Sequence, residues 1–129
     1  MIVLDASVVV ELLTNGRLAG AIRADLAGRS ESFIVPHLLD VEVIGALRKL
    51  ASSLHFDSHS AEQFLRGLAD LPAVRYAHEP LLERMWELRH NFTAYDAAYI
   101  ALAELTNSAL YTSDEKLSRN HRARVVLFT

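Results

Sequence analysis

The sequence predicts an α/β protein with a mostly parallel central sheet that is covered by helices on both faces. Short apolar runs of strand length alternate along the chain with longer segments whose apolar residues recur at helical spacing. Such alternation implies right-handed crossovers between parallel strands. The run Ile2–Leu4 is continuously apolar, as in a strand that is buried on both faces. No repeat, low-complexity segment or linker interrupts the pattern, so residues 1–129 are predicted to form a single domain.

The first half of the chain is predicted to contain two strands and three helices. The turn sequence Thr14-Asn15-Gly16 ends the first helix, and Gly28 is a plausible end of the second. Pro36 ends the second strand. In chain order the elements are a strand at Ile2–Leu4, a helix at Val8–Leu13, a helix carrying Leu18, Ile22 and Leu26, a strand at Phe33–Val35 and a helix from about Leu38 to Leu54.

The second half repeats the alternation. Pro80 at the first helical position favours a helix there, and Asp96 three residues after Thr93 forms an acidic variant of a capping box. In chain order the elements are a helix capped by Ser58 or Ser60, a weak strand at Ala73–Ala77, a helix from Glu79-Pro80 to about Asn91, a helix capped by Thr93 that runs to about Thr106, a strand at Ala109–Thr112, a short helix from Ser113 to about Arg119 and a strand at Val125–Phe128.

Composition excludes several classes of protein. Hydrophobic residues make up 51% of the 129 residues, which argues against disorder. The chain has no cysteine, so it can form neither a disulfide framework nor a thiolate metal site. No apolar run approaches the roughly 20 residues of a membrane span, and no basic region precedes the first apolar run. A cytoplasmic location and no membrane partner are therefore expected. The net charge of −3 means that any polyanionic partner would need a local basic patch or bound cations.

Four acidic residues stand at positions where a carboxylate is costly to bury. Asp5 and Asp114 each follow a predicted strand, Asp96 lies at the start of a helix, and Glu42 lies about one turn into the helix that follows the second strand. In open α/β sheets, sites form beyond the carboxyl ends of the strands. All four acids can approach that edge, and the natural compensator for converging carboxylates is a divalent metal ion.

Three of these acids also have a simple structural explanation. Asp is a favoured N-cap, so capping of the following helix could by itself explain Asp5. Asp96 and Asp114 lie in first turns, where the helix dipole stabilises a carboxylate by roughly 0.3–1 kcal/mol. Glu42 has no such explanation, because its neighbours are apolar. Asp40 lies about 200° around the same helix and is predicted to be the solvated acid of the two.

Four sequence words, taken together, resemble one known family. The chain is similar over its whole length to the PIN-domain family, and within it to the VapC-type toxins of bacterial and archaeal toxin–antitoxin pairs. The words that carry the resemblance are Val3-Leu4-Asp5-Ala6-Ser7-Val8, Asp40-Val41-Glu42-Val43, Phe92-Thr93-Ala94-Tyr95-Asp96-Ala97-Ala98-Tyr99 and Leu110-Tyr111-Thr112-Ser113-Asp114-Glu115-Lys116-Leu117.

The resemblance implies a three-layer α/β/α sandwich and a metal-dependent endoribonuclease. It assigns four acids to a site for Mg²⁺ or Mn²⁺ and gives two hydroxyl residues a supporting role. It also implies an RNA substrate, a cognate antitoxin protein, a homodimer, and operator DNA bound only through the antitoxin. Some family members carry a further acid shortly after the position of Asp114, where this chain has Lys116 and Leu117. The implied site residues are Asp5, Glu42, Asp96 and Asp114, supported by Ser7 and Thr112.

The chemistry of the four acids agrees with that assignment. Two like charges about 4 Å apart repel by about 4 kcal/mol at an effective dielectric of 20, so the cluster requires protons or a cation. The hypothesis is hydrolysis of RNA by a metal-activated water. Asp5, Asp96 and Asp114 would hold the metal, and Glu42 would complete the site through water or as a base. Ser7 and Thr112 would orient the carboxylates as hydrogen-bond donors.

A basic stretch close behind Asp114 could hold the RNA. The structural interpretation of this stretch is a solvated surface, and the functional interpretation is a binding site for RNA phosphates. Arg48 and Lys49 are weaker candidates for the same role. The stretch consists of Lys116, Arg119, Arg122 and Arg124 with His121, and the predicted RNA contacts are Lys116, Arg119 and Arg122.

Other readings of the chain remain open. His55 and His59 are four residues apart, but no HExxH pattern supports a zinc site. Haloacid-dehalogenase-type phosphatases need a second Asp two residues after the first, where this chain has Ser7, and receiver domains need an acidic pair that is absent. A non-catalytic binding module with a decayed site is disfavoured because all four acids are intact. Val9, Leu13 and the Phe64–Leu71 helix are candidates for an apolar interface.

Overall fold

Five parallel strands form one sheet in this computed structural model, which describes residues 1–54 and 56–129. The strand order is β3-β2-β1-β4-β5, and every neighbouring pair is parallel. Ile2 pairs with Phe33 on one side and with Ala109 on the other. The strands are β1 (Ile2–Leu4), β2 (Phe33–Pro36), β3 (Ala73–Tyr76), β4 (Ala109–Thr112) and β5 (Val125–Leu127).

Two groups of helices flank the sheet, which confirms the predicted α/β architecture with helices on both faces. The chain moves outward from β1 to β3 and then crosses back to β4 and β5, so right-handed crossovers place the two groups on opposite faces. The helices are α1 (Ala6–Thr14), α2 (Ala19–Ala27), α3 (Leu38–Leu54) and α4 (Ser58–Ala69) in the first group, and α5 (Leu82–Glu87) and α6 (Ala94–Leu105) in the second.

Strand order reverses at β1, and this reversal decides where a site can form. The chain leaves β1 toward β2 on one side, whereas β4 lies against β1 on the other. Helices that follow β1 and β4 therefore diverge, which opens a crevice beyond the carboxyl ends of these strands. Leu4 and Tyr111 are paired in register, so the residues that follow them meet at that crevice.

The core is concentrated between β1, β4 and α6. All residues of β1 are buried, and so are all residues of β4. In α6 the segment from Ala97 to Ala103 is buried without interruption, because the helix packs on the sheet and is covered by α5. Continuous burial of this kind makes α6 a rigid support for any side chain at its first turn.

Several element ends differ from the sequence prediction. The first helix begins at Ala6 rather than Val8, because Asp5 caps it. Asp57, and not Ser58 or Ser60, caps α4 by accepting a hydrogen bond from the Ser60 amide. Gly28 ends α2 with φ of −85°, so it supplies no left-handed cap.

Two predicted helices are shorter or tighter than expected. The helix predicted from Glu79 to about Asn91 is a 3-10 turn, Glu79–Leu81, followed by the short α5. The helix predicted from Ser113 is a 3-10 helix, Glu115–Ser118, capped by Asp114. Across residues 1–54 and 56–129, no helix is both long enough and apolar enough to cross a membrane.

Candidate active site

Asp5 is the buried centre of the candidate site, at the carboxyl end of β1. Its side chain caps α1 by accepting a hydrogen bond from the Val8 amide at 3.2 Å. Two hydroxyls also donate to it: Ser7 Oγ to Oδ1 and Thr112 Oγ1 to Oδ2, each at 2.5 Å. Burial raises the pKa of Asp5 above its ordinary value, although these hydrogen bonds oppose the rise. Asp5 therefore caps α1 and also lies at the carboxyl end of β1, where the candidate site is expected.

The two hydroxyls tie Asp5 to the backbone that follows β4. Ser7 Oγ accepts a hydrogen bond from the Ser113 amide at 3.0 Å, and Thr112 Oγ1 accepts one from the Asp114 amide at 2.9 Å. Each hydroxyl thus donates to a carboxylate and accepts from an amide, so its orientation is determined. This arrangement agrees with the supporting role expected of Ser7 and Thr112.

Asp114 stands at the carboxyl end of β4 and caps the 3-10 helix behind it. Its Oδ1 accepts a hydrogen bond from the Lys116 amide at 3.0 Å, and the Lys116 ammonium lies 3.9 Å from its Oδ2. The carboxylate charge of Asp114 raises the pKa of Asp5. Two adjacent strands therefore deliver two acids to the same edge.

Asp96 lies near the same edge of the sheet, in the first turn of α6. Thr93 caps the helix by accepting a hydrogen bond from the Asp96 amide at 3.2 Å. Burial, and then the charge of Asp114, raise the pKa of the Asp96 carboxyl, while Lys116 opposes the rise. The capping function predicted for Thr93 is confirmed, and it leaves the Asp96 carboxylate facing its acidic neighbours.

Glu42 lies in the second turn of α3 and is held by a residue that the sequence did not single out. The hydroxyl of Tyr99, in α6, donates a hydrogen bond of 2.6 Å to Glu42 Oε1. Burial is the largest cause of the raised pKa of Glu42, and the charges of Asp96 and Asp5 add to it. Tyr99 is itself buried, and its pKa is raised by burial and by Glu42, so it stays a donor. A usable signal was present, because Tyr99 follows Asp96 by three residues and shares its helix face.

The four acids interact electrostatically, but they do not form a compact set of metal ligands. Asp114 acts on Asp5 and Asp96, and both of these act on Glu42 through its raised pKa. Within the residues that the structure describes, no group of three or more His, Cys, Asp or Glu side chains lies close enough together to hold one ion as they stand. The four carboxylates, of which Asp5, Glu42 and Asp96 have raised pKa values, still offer the all-oxygen donors that suit a divalent cation that keeps several of its waters.

The predicted basic contacts divide between two places. Lys116 lies beside Asp114, and the Arg119 guanidinium lies 3.8 Å from Glu115. Arg122 lies near Glu104, which accepts a hydrogen bond of 2.7 Å from its amide. Glu104 is eight residues beyond Asp96 on α6, about 12 Å along the helix axis. The structure therefore places Lys116 near the acids and Arg122 toward the other end of α6.

Two further side chains have structural roles in place of those considered from sequence. His121 bridges backbone groups, with Nε2 2.6 Å from the Leu117 carbonyl and Nδ1 accepting from the Ala123 amide. Asp40, predicted to be solvated, forms two hydrogen bonds with the Arg75 guanidinium, at 2.8 and 2.9 Å. The possible His55 and His59 zinc pair cannot be described, because His55 lies outside the described residues.

Known proteins share both the sequence and the fold. The chain matches the PIN domain over residues 2–123. It is 40% identical to VapC ribonuclease Mb0985 of Mycobacterium bovis and to ribonuclease VapC9 of Mycobacterium tuberculosis, over 96% of this chain and 94% of each relative. It is also 40% identical to ribonuclease VapC1 of Mycobacterium tuberculosis, over 90% of this chain and 87% of that relative.

Solved structures give the same architecture. The crystal structure of PAE2754 from Pyrobaculum aerophilum superposes with a TM-score of 0.73 at 24% identity, covering 96% of this chain and 81% of that one. VapC20 of Mycobacterium tuberculosis superposes with a TM-score of 0.69 at 17% identity, covering 92% and 93%. These likenesses support the fold, and the sequence relatives support the family. The chain therefore belongs to the PIN-domain family and, within it, to the VapC-type ribonucleases.

Proposed function

We propose that this chain is a divalent-metal-dependent endoribonuclease that acts as the toxin of a toxin–antitoxin pair. Endoribonuclease activity follows from the family, because its relatives over nearly the whole chain are named ribonucleases. The observation that carries the chemistry is the placement of Asp5, Glu42, Asp96 and Asp114 beyond β1 and β4, where burial and then neighbouring carboxylates raise the pKa of Asp5, Glu42 and Asp96. Such a cluster is stable when a cation binds it.

The proposed metal-holding residues are Asp5, Asp96 and Asp114, and the proposed ion is Mg²⁺, with Mn²⁺ as the alternative. A bound ion of this kind supplies an activated water and neutralises charge on the phosphodiester. Asp5 is held in one orientation by Ser7 and Thr112, so little reorganisation is needed on binding. Asp96 and Asp114 are more exposed than Asp5 and can adjust to the ion.

Glu42 is proposed as the residue that accepts a proton. Tyr99 occupies Oε1, which leaves Oε2 to face the attacking water. The raised pKa of Glu42, caused first by burial, brings the carboxyl closer to neutral pH, where a general base works best. The proton would pass from the water to Oε2 as the water attacks phosphorus, and the leaving ribose oxygen would take a proton from solvent.

The proposed RNA contacts next to the acids are Lys116 and Arg119. Both side chains are exposed, at 77% and 73%, so their ion pairs with Asp114 and Glu115 are weak and can be exchanged for phosphates. Arg122 was predicted as a third contact. Its position beside Glu104 supports only a contact remote from the scissile bond.

The partners beyond RNA are also proposals. A solved toxin–antitoxin complex from Klebsiella pneumoniae has this fold, which supports a protein antitoxin for this chain. Operator DNA would then be bound only through that antitoxin, and the enzyme would act on RNA in the cytoplasm. A homodimer is proposed as well. Val9 is fully buried and cannot contribute to its interface, whereas Leu65 on α4 is exposed and can.

Cleavage by purified protein tests the proposal. Total RNA incubated with Mg²⁺ should give new discrete ends, and EDTA should abolish them. Asp96→Asn should lower the rate by at least about a hundredfold, as expected when a group that stabilises transition-state charge is lost. Asp70→Asn changes an exposed acid at the end of α4 and serves as the matched control. Cleavage that survives EDTA, or full activity of Asp96→Asn, would contradict the metal mechanism.

A further inference from the structure

A groove of about 490 Å³ opens between α1 and α3 and begins at the acidic site. We propose that this groove binds the RNA strand on one side of the scissile phosphate, with Lys49 contacting a neighbouring phosphate; the inference rests on the proposed ribonuclease function. The side chains that matter for the argument are Ser7, Glu42, Gly45, Ala46, Lys49 and Ser113, all of which line the groove.

The groove is continuous with the acidic site because the same residues line both. Ser7 donates to Asp5 and also forms one wall of the groove. Glu42, held by Tyr99, stands at the junction. A phosphodiester placed against the acids would therefore have its next nucleotide at the mouth of the groove.

One face of α3 forms a wall of the groove. Glu42, Gly45, Ala46 and Lys49 are spaced i, i+3, i+4 and i+7, so they lie in one stripe along the helix. Lys49 lies seven residues from Glu42, about 10 Å along the helix axis. Its ammonium is therefore placed beside the backbone of a neighbouring nucleotide, with the small side chains between the two.

The small residues leave real space in the groove. A Cβ atom added at Gly45 would meet nothing within 4 Å. Gly also costs about 1 kcal/mol of helix propensity relative to Ala, and no neighbouring atom of the described residues within 4 Å requires the absence of a side chain at this position. Space at this position fits a ligand that passes close to the helix backbone.

The absence of an ion pair among the described residues distinguishes Lys49 from the three RNA contacts predicted behind Asp114. Lys116, Arg119 and Arg122 each lie within 4 Å of a carboxylate. In the described part of the chain, the Lys49 side chain is exposed and no carboxylate lies within 4 Å of its ammonium. Glu11 also lines the groove, but its Oε2 accepts a hydrogen bond of 2.9 Å from the Leu18 amide. Lys49 is thus available to a phosphate.

Because α1 and α3 pack against each other, the groove between them suits a single strand better than a duplex. The axes of packed helices are about 8–10 Å apart, which is narrower than an A-form helix. A single strand can enter with its bases turned outward, and single-stranded RNA is the form that proteins most often bind through base and backbone contacts together.

Filling the groove tests the inference. Gly45→Leu places a large side chain in the groove, and Gly20→Leu is the matched control, because a Cβ at Gly20 also meets nothing within 4 Å. Both changes favour the helix, so folding should be retained, which thermal unfolding checks. In an Asp96→Asn background, binding of a fluorescein-labelled single-stranded RNA should weaken by about tenfold for Gly45→Leu, as for the loss of one nucleotide's contacts, and not for Gly20→Leu.

Lys49→Gln tests the phosphate contact separately. The slope of log K against log salt should fall in magnitude by about 0.7, the value for one phosphate on a single strand. Arg66→Gln, which removes an exposed charge from α4, should leave the slope unchanged. Unchanged binding by both Gly45→Leu and Lys49→Gln would overturn the groove inference while wild-type cleavage continued. Absence of cleavage by the wild type would instead contradict the proposed function.

Discussion

At the scale of single residues, the site is built from carboxylates that do two things at once. Asp5 caps α1 and also receives two hydroxyl donors, so these hydrogen bonds offset part of the cost of burying its carboxylate. Glu42 has one such partner, Tyr99, and its orientation depends on that contact alone among the described side chains. A side chain with a single anchor is the one whose position a mutation can most readily change.

Tyr99→Phe tests that dependence. The change removes one hydroxyl and keeps the ring, so the core around α6 should hold, and only Glu42 should lose its fixed orientation. We expect kcat to fall by about tenfold to a hundredfold with little change in KM, because positioning of a base contributes to the chemical step. Tyr95→Phe on the exposed side of α6 is the control. An unaltered kcat and pH profile for Tyr99→Phe would show that Glu42 needs no anchor.

At the scale of elements, α6 positions Asp96 and Tyr99 at its N-terminal end and is held by hydrogen bonds and an ion pair near its C-terminal end. Glu104, whose side chain is 9% exposed, accepts hydrogen bonds of 2.6 and 3.0 Å from Arg84. It also accepts one from the Arg122 amide. One carboxylate thus joins α5, α6 and the segment before β5, while Asp96 and Tyr99 act at the other end of the helix.

Glu104→Ala should therefore destabilise the whole fold. Removing the more buried partner leaves Arg84 with only the half-exposed Glu87, and we expect a cost of about 3 kcal/mol. Glu87→Ala removes a half-exposed partner of the same arginine, and we expect a loss of less than about 1 kcal/mol. Urea unfolding followed by circular dichroism measures both. Equal losses for the two variants would argue against Glu104 as the anchor.

At the scale of the whole molecule, the fold concentrates acidic charge at one edge of the sheet. The chain carries a net charge of only −3, yet three carboxyls at this edge have raised pKa values, in each case chiefly because of burial. Folding therefore works against ionisation of these groups, and binding of a cation works in its favour.

The pH dependence of stability follows from the upward direction of these pKa shifts. A carboxyl with a raised folded pKa holds its proton in the folded state when the unfolded chain has lost it. Its contribution to stability is therefore present below about pH 4, the ordinary carboxyl pKa, and is lost as pH rises through the folded value. In EDTA, wild type should lose more stability over this window than Asp96→Asn. Thermal unfolding across pH measures the difference, and parallel curves for the two proteins would contradict it.

Metal addition should reverse that loss. At about 100 times Kd, a cation that binds only the folded state stabilises it by about 2.7 kcal/mol. Mg²⁺ should raise the Tm of wild type at neutral pH and leave Asp96→Asn nearly unchanged. Asp70→Asn should respond as wild type does. If neither Mg²⁺ nor Mn²⁺ changed the Tm of the wild type, this result would count against a metal held by these acids.

Much of the fold could be predicted because its signals are local. The apolar runs at Ile2–Leu4 and Ala109–Thr112 are strands with those bounds, and Leu38–Leu54 is a helix with those bounds. Element ends were less predictable. Asp57 took the capping position expected for a serine, because several residues near a helix start can cap it and backbone geometry selects one.

The site was predictable in part for a related reason. The four acids stand out because a carboxylate beside apolar residues is costly, which is a property of sequence alone. Tyr99 was missed because its spacing from Asp96 shows a shared helix face, but does not show whether the tyrosine packs in the core or donates to a carboxylate on another helix. Its partner, Glu42, is 57 residues away in the chain.

The sequence by itself determined the alternation of strands and helices, the family and the identity of the acids, because each depends on neighbouring residues or on spacing. Tertiary structure alone decided which side chains meet. It brought the Tyr99 hydroxyl to Glu42 and left Lys49 beside a groove that begins at Glu42. It also placed Arg122 beside Glu104, far from the four acids of the candidate site. These pairings join distant parts of the chain, and the packing of α3 and α6 against the sheet sets their distances, which no local pattern records.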